Sequence, residues 1–284
     1  NFVDYFGDIS FGTAAFSTGF PRLGKLTLAV QYVNYGTFTE TDEFGNILGS
    51  FGAGEYAIQF GWGRSLDDRF RIGSNLKILT SSLEQYSSLG IAADISVAYL
   101  HSERGIASSM VIRNIGRQII KFNSNNAEKL PFDIVIGASK KLLKAPLRFS
   151  IVAHNLHDFD LTYDELAMGE GTALSQNGSE VSANGGMGNI SDMLFRHLVF
   201  GMEFLPFENF TFSLGYNYRR RQEMKVDSRI STVGLSWGVG IKINRFRLSY
   251  GRSNYHLAGS PNHFSISANL DELFVRYGDG NVMR

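Results

Sequence analysis

The stretch Val233-Gly234-Leu235-Ser236-Trp237-Gly238-Val239-Gly240-Ile241-Lys242-Ile243 alternates without a break. In an extended chain successive side chains point to opposite sides. Val, Leu, Trp, Val, Ile and Ile then share one face, and Gly, Ser, Gly, Gly and Lys share the other. A period of two over such a length is a strand signal. The run also has the ~9–11 residues that a tilted strand needs to cross the hydrocarbon layer of a membrane. Its polar face is small and rich in glycine, which suits a curved, crowded lumen.

The same alternation recurs outward from this segment. Phe210, Phe212, Leu214, Tyr216 and Tyr218 alternate with Thr211, Ser213, Gly215, Asn217 and Arg219. Leu89, Ile91, Ala93, Ile95, Val97 and Tyr99 alternate with Gly90, Ala92, Asp94, Ser96 and Ala98. Phe70, Ile72, Leu76 and Ile78 face away from Arg71, Gly73, Asn75 and Lys77. Tyr56, Ile58, Phe60 and Trp62 face away from Ala57, Gln59, Gly61 and Gly63. Strands are expected at 8–18, 25–35, 54–64, 69–80, 87–101, 106–116, 132–142, 147–157, 194–205, 209–221, 229–243, 246–254 and 262–274. Residues 1–5 look like the end of one more, giving about fourteen. The parity of Phe274 would let it close the last strand.

Connections alternate in length as well. Short turns are expected near 20–24, 65–69, 102–105, 143–146, 206–209 and Asn244, and long loops near 37–53, 81–87, 116–130, 158–192, 222–228 and 254–261. Short periplasmic turns opposite long extracellular loops are the pattern of outer-membrane barrels. The fold class is therefore all-β: a transmembrane antiparallel β-barrel over 1–275 with both termini periplasmic, and a polar tail over 276–284. A soluble sandwich would use shorter strands and expose a bulkier polar face.

Composition agrees. Mean hydropathy is −0.09 and net charge +0, with 43% hydrophobic residues, 23 Phe, 12 Tyr, 31 Gly and 5 Pro. Outward apolar and inward polar residues cancel in such an average. A balanced charge gives no nucleic-acid signature. With no cysteine, disulfides and Cys-ligated zinc are excluded. No apolar run reaches the length of a transmembrane helix. Asn1-Phe2-Val3-Asp4-Tyr5 does not read as a signal peptide, so the chain is expected to start within a mature protein whose upstream sequence is missing.

Three motifs imitate chemistry. Gly19-Phe20-Pro21-Arg22-Leu23-Gly24-Lys25 imitates a P-loop, but Leu26 replaces the hydroxyl that would hold Mg²⁺ and a strand follows. Gly234-Leu235-Ser236-Trp237-Gly238 fits a nucleophile elbow, which needs a strand, a sharp turn and a helix, whereas this one is expected inside one strand. His154 and His157, three apart, would point to opposite faces of a strand and not share a metal. With Asp158 and Asp160 they could supply a rim hydrolase set. The reading favoured is a protein without catalytic, metal or cofactor residues.

Two loops stand out as partner surfaces. One carries Asp42, Glu43, Phe44, Ile47, Leu48 and Phe51; the other, without Lys or Arg, carries Phe159, Asp160, Leu161, Tyr163, Asp164, Glu165 and Leu166. Apolar anchors supply the desolvated centre of an interface and acids set its orientation. The same acidic loop also reads as a solvated surface repelling lipopolysaccharide, or as a divalent-cation site. Arg219, Arg220 and Arg221, with Lys225 and Arg229, form a basic cluster expected at the outer end of a hairpin, which snorkelling and ion pairing explain. Arg220 and Lys225 are the candidates for lipopolysaccharide phosphate.

Several segments carry a resemblance: Tyr32-Val33-Asn34-Tyr35-Gly36, Phe38-Thr39-Glu40-Thr41-Asp42-Glu43-Phe44-Gly45-Asn46, Ala53-Gly54-Glu55-Tyr56, Arg113-Asn114-Ile115-Gly116, Leu130-Pro131-Phe132, Ala145-Pro146-Leu147-Arg148-Phe149, the run from Gly215 to Met224, and Tyr255-His256-Leu257-Ala258-Gly259. Together they resemble the PorQ family of the type IX secretion system over nearly the whole chain. That family is similar to FadL-like fourteen-stranded barrels and has an additional N-terminal segment. The resemblance implies a non-enzymatic barrel that holds the surface protein PorZ, alongside other attachment-complex subunits, for attaching cargo to anionic lipopolysaccharide. The alternative is a FadL-like transporter of hydrophobic molecules. The expected inward set, including Gln59, Arg71, Asn75, Lys77, Asp94, Arg148, Glu203, Lys242 and Arg247, is polar and charged, which disfavours a greasy lumen.

Overall fold

The computed structural model describes residues 1–5, 7, 9–122, 128–161, 187–224, 232–255 and 259–270. Fourteen antiparallel strands close into one barrel. They are β1 (Phe2–Asp4), β2 (Ser10–Phe20), β3 (Gly24–Thr41), β4 (Ile47–Ser65), β5 (Phe70–Leu83), β6 (Tyr86–His101), β7 (Ile106–Ile120), β8 (Asp133–Lys141), β9 (Leu147–Ala153), β10 (Leu198–Phe207), β11 (Phe210–Asn217), β12 (Leu235–Ile243), β13 (Phe246–Ser253) and β14 (Asn262–Ala268). Each pairs with its sequence neighbours, and β1 joins β14 through Phe2↔Phe264, Val3↔His263 and Asp4↔Asn262. Closure satisfies backbone groups that an open sheet would leave unpaired at its edges.

The barrel is apolar on its outside. Phe16, Leu28, Phe60 and Leu76 form one row across β2, β3, β4 and β5, and all four are exposed. Among the described residues the buried apolar side chains are few: Val3, Ala29, Ala92, Leu161, Val233 and Pro261. So large an apolar exterior is foreign to a protein that sits in water. Aromatic residues gather near both ends of the wall: Phe20, Trp62, Phe70 and Tyr99 by the short turns, Tyr32, Tyr56 and Tyr216 by the long loops. Trp62 Nε1 donates to the Leu23 carbonyl at 2.7 Å, and the Phe70 and Tyr99 rings lie 5.2 Å apart. Such girdles mark membrane interfaces.

Facing follows the alternation. Leu235 and Trp237 are outward, while Ser236 sits between Gly215 and Ser253 on the inner side and Lys242 lies opposite Arg247. Part of the inner charge is paired, while Arg71, Lys242 and Arg247 join no ion pair among the described residues. Lys77 Nζ is 2.7 Å from Asp94 Oδ2 and donates to Asn114 Oδ1 at 2.9 Å; Arg148 bonds Glu203 at 2.9 Å. Gln31, Gln59 and Asn75 extend the first network by side-chain hydrogen bonds of 3.2 and 2.9 Å. A bulge in β7 puts Arg113 and Asn114 opposite Asp94, with Asn114 at φ 57. Asp94 Oδ1 accepts the bulged Asn114 amide at 2.9 Å, so one carboxylate serves both the ion pair and the bulge.

Short turns and long connections fall at opposite ends of the barrel, as the loop lengths predict. Several boundaries differ. The loop expected over 37–53 is mostly strand: β3 and β4 run on past the wall and turn only at Asp42–Asn46, because Thr, Phe, Ile and Ser there favour extended backbone. The loop expected at 81–87 is a tight turn between Leu83 and Tyr86, with Glu84 at φ 53. β7 continues four residues past Gly116, to Ile120. β9 stops at Ala153, short of His157, where Asn155 takes φ 56. Residues 187–196, expected as loop and strand, form helix α1 (Met187–Arg196). β11 stops at Asn217 and helix α2 (Tyr218–Met224) follows. Asn217 Oδ1 caps the Arg220 amide at 2.9 Å, and Arg219 bonds Glu223 one turn on at 2.6 Å, so Arg and Gln, good helix formers, end the alternation. β12 starts only at Leu235: Val233, buried, and Gly234, at φ 88, form a turn where strand was expected. β14 reaches Ala268, and Phe274 and the 276–284 tail lie outside the described residues.

Candidate functional site

The long-loop rim brings together a projecting hairpin, an infolded segment and two helices. The hairpin is built by register. The β2 ladder on β3 ends at Ser10↔Asn34, and the β5 ladder on β4 ends at Ala53↔Leu83. There β3 bulges between Asn34 and Thr37, with Gly36 at φ 83 and its amide held by Asn34 Oδ1 at 2.9 Å. Beyond the bulge only β3 and β4 pair with each other, from Thr37↔Gly52 to Thr41↔Ile47. Among the described residues both outer edges of this tongue lack a strand partner.

The tip is fixed by Asp42. Its carboxylate accepts the Phe44 and Asn46 amides at 2.9 and 2.8 Å and the Asn46 side chain at 2.7 Å. These bonds, that of the Asn46 side chain foremost, hold its pKa below the usual carboxylate value. Phe44, Ile47 and Leu48 are 89%, 74% and 64% exposed. Phe38 and Phe51 stack with ring centroids 5.4 Å apart. Phe51 shares the inward parity of Glu55 and Gln59, so the stacked pair looks over the barrel axis and Thr39 and Ser50 look outward. No Lys or Arg occurs between Lys25 and Arg64, so Glu40, Asp42 and Glu43 leave the tongue acidic.

The mouth beside it is occupied by protein. Residues 128–131 fold back onto the inner wall: the Glu128 amide donates to Gln118 Oε1 at 2.9 Å, and Asn114 Nδ2 donates to the Pro131 carbonyl at 2.7 Å. They enclose a cavity of about 510 Å3 with Gln59, Lys77, Arg113 and Glu55. Asp133 is buried, binds Arg113, and accepts the Asn155 amide at 2.7 Å, tying β7 and β8 to the chain after β9. Helices α1 and α2 meet through Tyr218, whose hydroxyl donates to Asp192 at 2.6 Å and whose ring lies 5.6 Å from Phe195. Asp192 also binds Arg196 at 2.7 Å.

The residues singled out from sequence are placed as follows. Asp42, Glu43, Phe44 and Phe51 share the tongue. Asp160 is exposed on the connection after β9, already engaged with a neighbour, while Leu161 beside it is buried and offers no exposed anchor. Tyr163, Asp164, Glu165, Leu166, Lys225 and Arg229 lie outside the described residues. Arg220 is not at the tip of a hairpin: it sits in α2, half-buried, with its guanidinium 3.5 Å from the centre of the Tyr255 ring. His154 and His157 are beyond the strand end, so alternation does not govern them. His154 lies against His197, its backbone amide donating to that residue's carbonyl at 3.0 Å, and burial pushes its imidazole below the usual value. His157 instead stands edge-on to Phe132 at 5.4 Å. The P-loop imitation forms the β2–β3 turn and runs into a strand; in the elbow imitation Gly234, at φ 88, is a turn residue before β12, and no helix follows Ser236.

Pairing of Asp94 with Lys77 follows from their shared inward parity, but sequence reasoning missed the Asn114 bulge that completes the network, and it missed the tongue. Asn-Tyr-Gly at 34–36 and Arg-Asn at 113–114 were the available signals, since Gly and Asn tolerate the left-handed backbone that a bulge needs.

No family model matches the chain, and no curated protein matches it. What defines its class is the architecture: a closed fourteen-stranded antiparallel barrel with an apolar outer wall and a polar lumen, the design of outer-membrane barrels. No helix among the described residues is long and apolar enough to cross a membrane.

Proposed function

We propose that the protein is a non-enzymatic barrel of a Gram-negative outer membrane that serves a PorQ-like role in the type IX secretion system, anchoring a PorZ-like surface protein where cargo is joined to anionic lipopolysaccharide. The observation that carries this reading is the tongue. A rigid strand pair projects from the rim with an acidic, aromatic inner face turned over the mouth and with free edges. Free edges are templates for pairing with another chain. The outward Thr39 and Ser50 do not suit insertion into lipid, and the acids repel anionic lipopolysaccharide, so the fitting occupant is a protein with basic groups seated on the mouth.

The charged lumen and the infolded 128–131 segment support an anchor over a FadL-like transporter, which requires a continuous apolar path. The test is purification of the tagged barrel in mild detergent from cells that carry the secretion system. The anchor reading predicts near-stoichiometric recovery of the PorZ-like protein. Recovery of the barrel alone, together with uptake of oleate by vesicles containing it, would establish the transporter instead.

A further inference from the structure

We propose that the outer wall over β8–β12 carries a fixed binding site for one phospholipid of the periplasmic leaflet, distinct from freely exchanging boundary lipid. Two rows of outward side chains, Phe200 and Tyr216 above and Phe149, Met202 and Trp237 below, flank a groove of about 1040 Å3. That matches the upper end of the ~300–1,000 Å3 usual for a small-molecule site. The floor is backbone. On its inner side run Ser139, Ser150, Gly201, Gly215, Ser236 and Ser253, opposite one another strand by strand. A Cβ on Gly201 would lie 2.4 Å from Ser150 Oγ, and one on Gly215 2.5 Å from Ser236 Oγ, so this row stays small. Between the two rows of outward side chains the exterior is therefore a trough with a backbone floor.

The occupant follows from position and charge. The trough runs along the outer wall from Ile106 and Lys140 at the short-turn end to Tyr216, Thr232 and Asn254 at the long-loop end. Its lining between them is apolar, so an acyl chain reaching up from the periplasmic side fills it. The one charged residue lining it is Lys140, next to the last residue of β8, at the short-turn end. Its ammonium donates to the Arg104 carbonyl, and an ammonium has three donors. A phosphate at the periplasmic interface takes the others. A headgroup phosphate above two acyl chains satisfies both the cation and the trough; a free fatty acid supplies one chain and a carboxylate.

The chain holds two tryptophans, Trp62 and Trp237, both on the outer wall, and only Trp237 lines the trough. Single-tryptophan variants Trp62→Phe and Trp237→Phe are folded in detergent micelles and titrated with phosphatidylethanolamine carrying dibrominated acyl chains, which quench indole on contact. The site predicts quenching of Trp237 at near-equimolar lipid, whereas Trp62 is quenched only when bromolipid forms much of the micelle. Ala138→Phe, which fills the trough from its outward face, and Lys140→Gln should each raise the lipid needed at Trp237 several-fold in barrels that remain heat-modifiable on gels. Superposed curves for the two tryptophans, no effect of Ala138→Phe, or equal quenching by brominated stearic acid would each overturn the proposal.

Discussion

The pair Lys77–Asp94 offers a quantitative check on how the lumen is held. Both side chains are 14% exposed and their charged atoms are 2.7 Å apart. Asp94→Leu removes the ion pair and strips the bulged Asn114 amide of its acceptor. Loss of one partner of a fully buried pair costs about 3–5 kcal/mol. Residual access to a polar lumen reduces that to about 2–3 kcal/mol, and the orphaned amide adds about 1–3 kcal/mol. Lys77→Met leaves Asp94 bonded to the amide and to Asn75, so it should cost about 1–2 kcal/mol. The double variant leaves no unmatched charge, only the unsatisfied amide, and should be no worse than Asp94→Leu alone. The cycle should therefore give a coupling of at least the Lys77→Met cost, about 1–2 kcal/mol. Urea unfolding in liposomes, followed by tryptophan fluorescence and by heat modifiability on gels, measures each corner. Additive losses would show that the two side chains are independently solvated, and the reasoning would fail.

Other outcomes follow from facing, charge and occlusion. Leu28 is outward, midway along the part of β3 that pairs with β2, so Leu28→Arg should cost about 2–4 kcal/mol in bilayer unfolding. Its neighbour Thr27→Ala, losing one hydroxyl bond inside, should cost under about 1 kcal/mol, and equal losses would refute the facing. Asp42 titrates below its unfolded value, so the support it gives the tongue is present above the ordinary carboxylate pKa and lost as pH falls through the lowered one. Protection factors at Phe44 and Asn46, the intrinsic exchange rate divided by the observed one at each pH, should be high at neutral pH and fall in acid, and in Asp42→Ala be low at both; a protection factor independent of pH in the parent chain would contradict this. In planar bilayers the protein should show no steady porin-like conductance, while Asn114→Gly with Gln118→Ala, which releases the 128–131 segment, should open discrete events. Steady conductance from the unmodified protein would oppose an occluded mouth.

Much of the barrel is legible in the sequence because facing in a sheet has a strict period of two. The run ending at Ile243 assigns Trp237 outward and Ser236 inward before any contact is known, and strand parity does the same for Phe60 and Gln59. Boundaries at the long-loop end are less legible because there the environment no longer changes from lipid to lumen at each residue. Tyr218 continues the alternation, yet the chain turns into α2, where Asn217 supplies a cap and Arg219 reaches Glu223. The tongue is hidden for the converse reason: with water on both faces, Thr37–Thr41 and Ile47–Gly52 carry no alternation, although they are strands. The acids and aromatics of the rim were visible as a composition. Their shared face depends on the bulge at Asn34–Thr37, which shifts β3 by one residue against β4.

The most direct test of the anchoring account is excision of the tongue. Residues 37–52 are replaced by a tight Asn-Gly turn, which reconnects β3 and β4 where their outer ladders end. The β2 and β5 pairings lie wholly outside the excised segment, so the barrel should fold, insert and remain heat-modifiable. The quantity measured is the amount of PorZ-like protein retained on the surface of cells expressing this variant, relative to the intact barrel. The account predicts loss of retention with barrel abundance unchanged. Full retention on a correctly inserted, tongue-less barrel would contradict it.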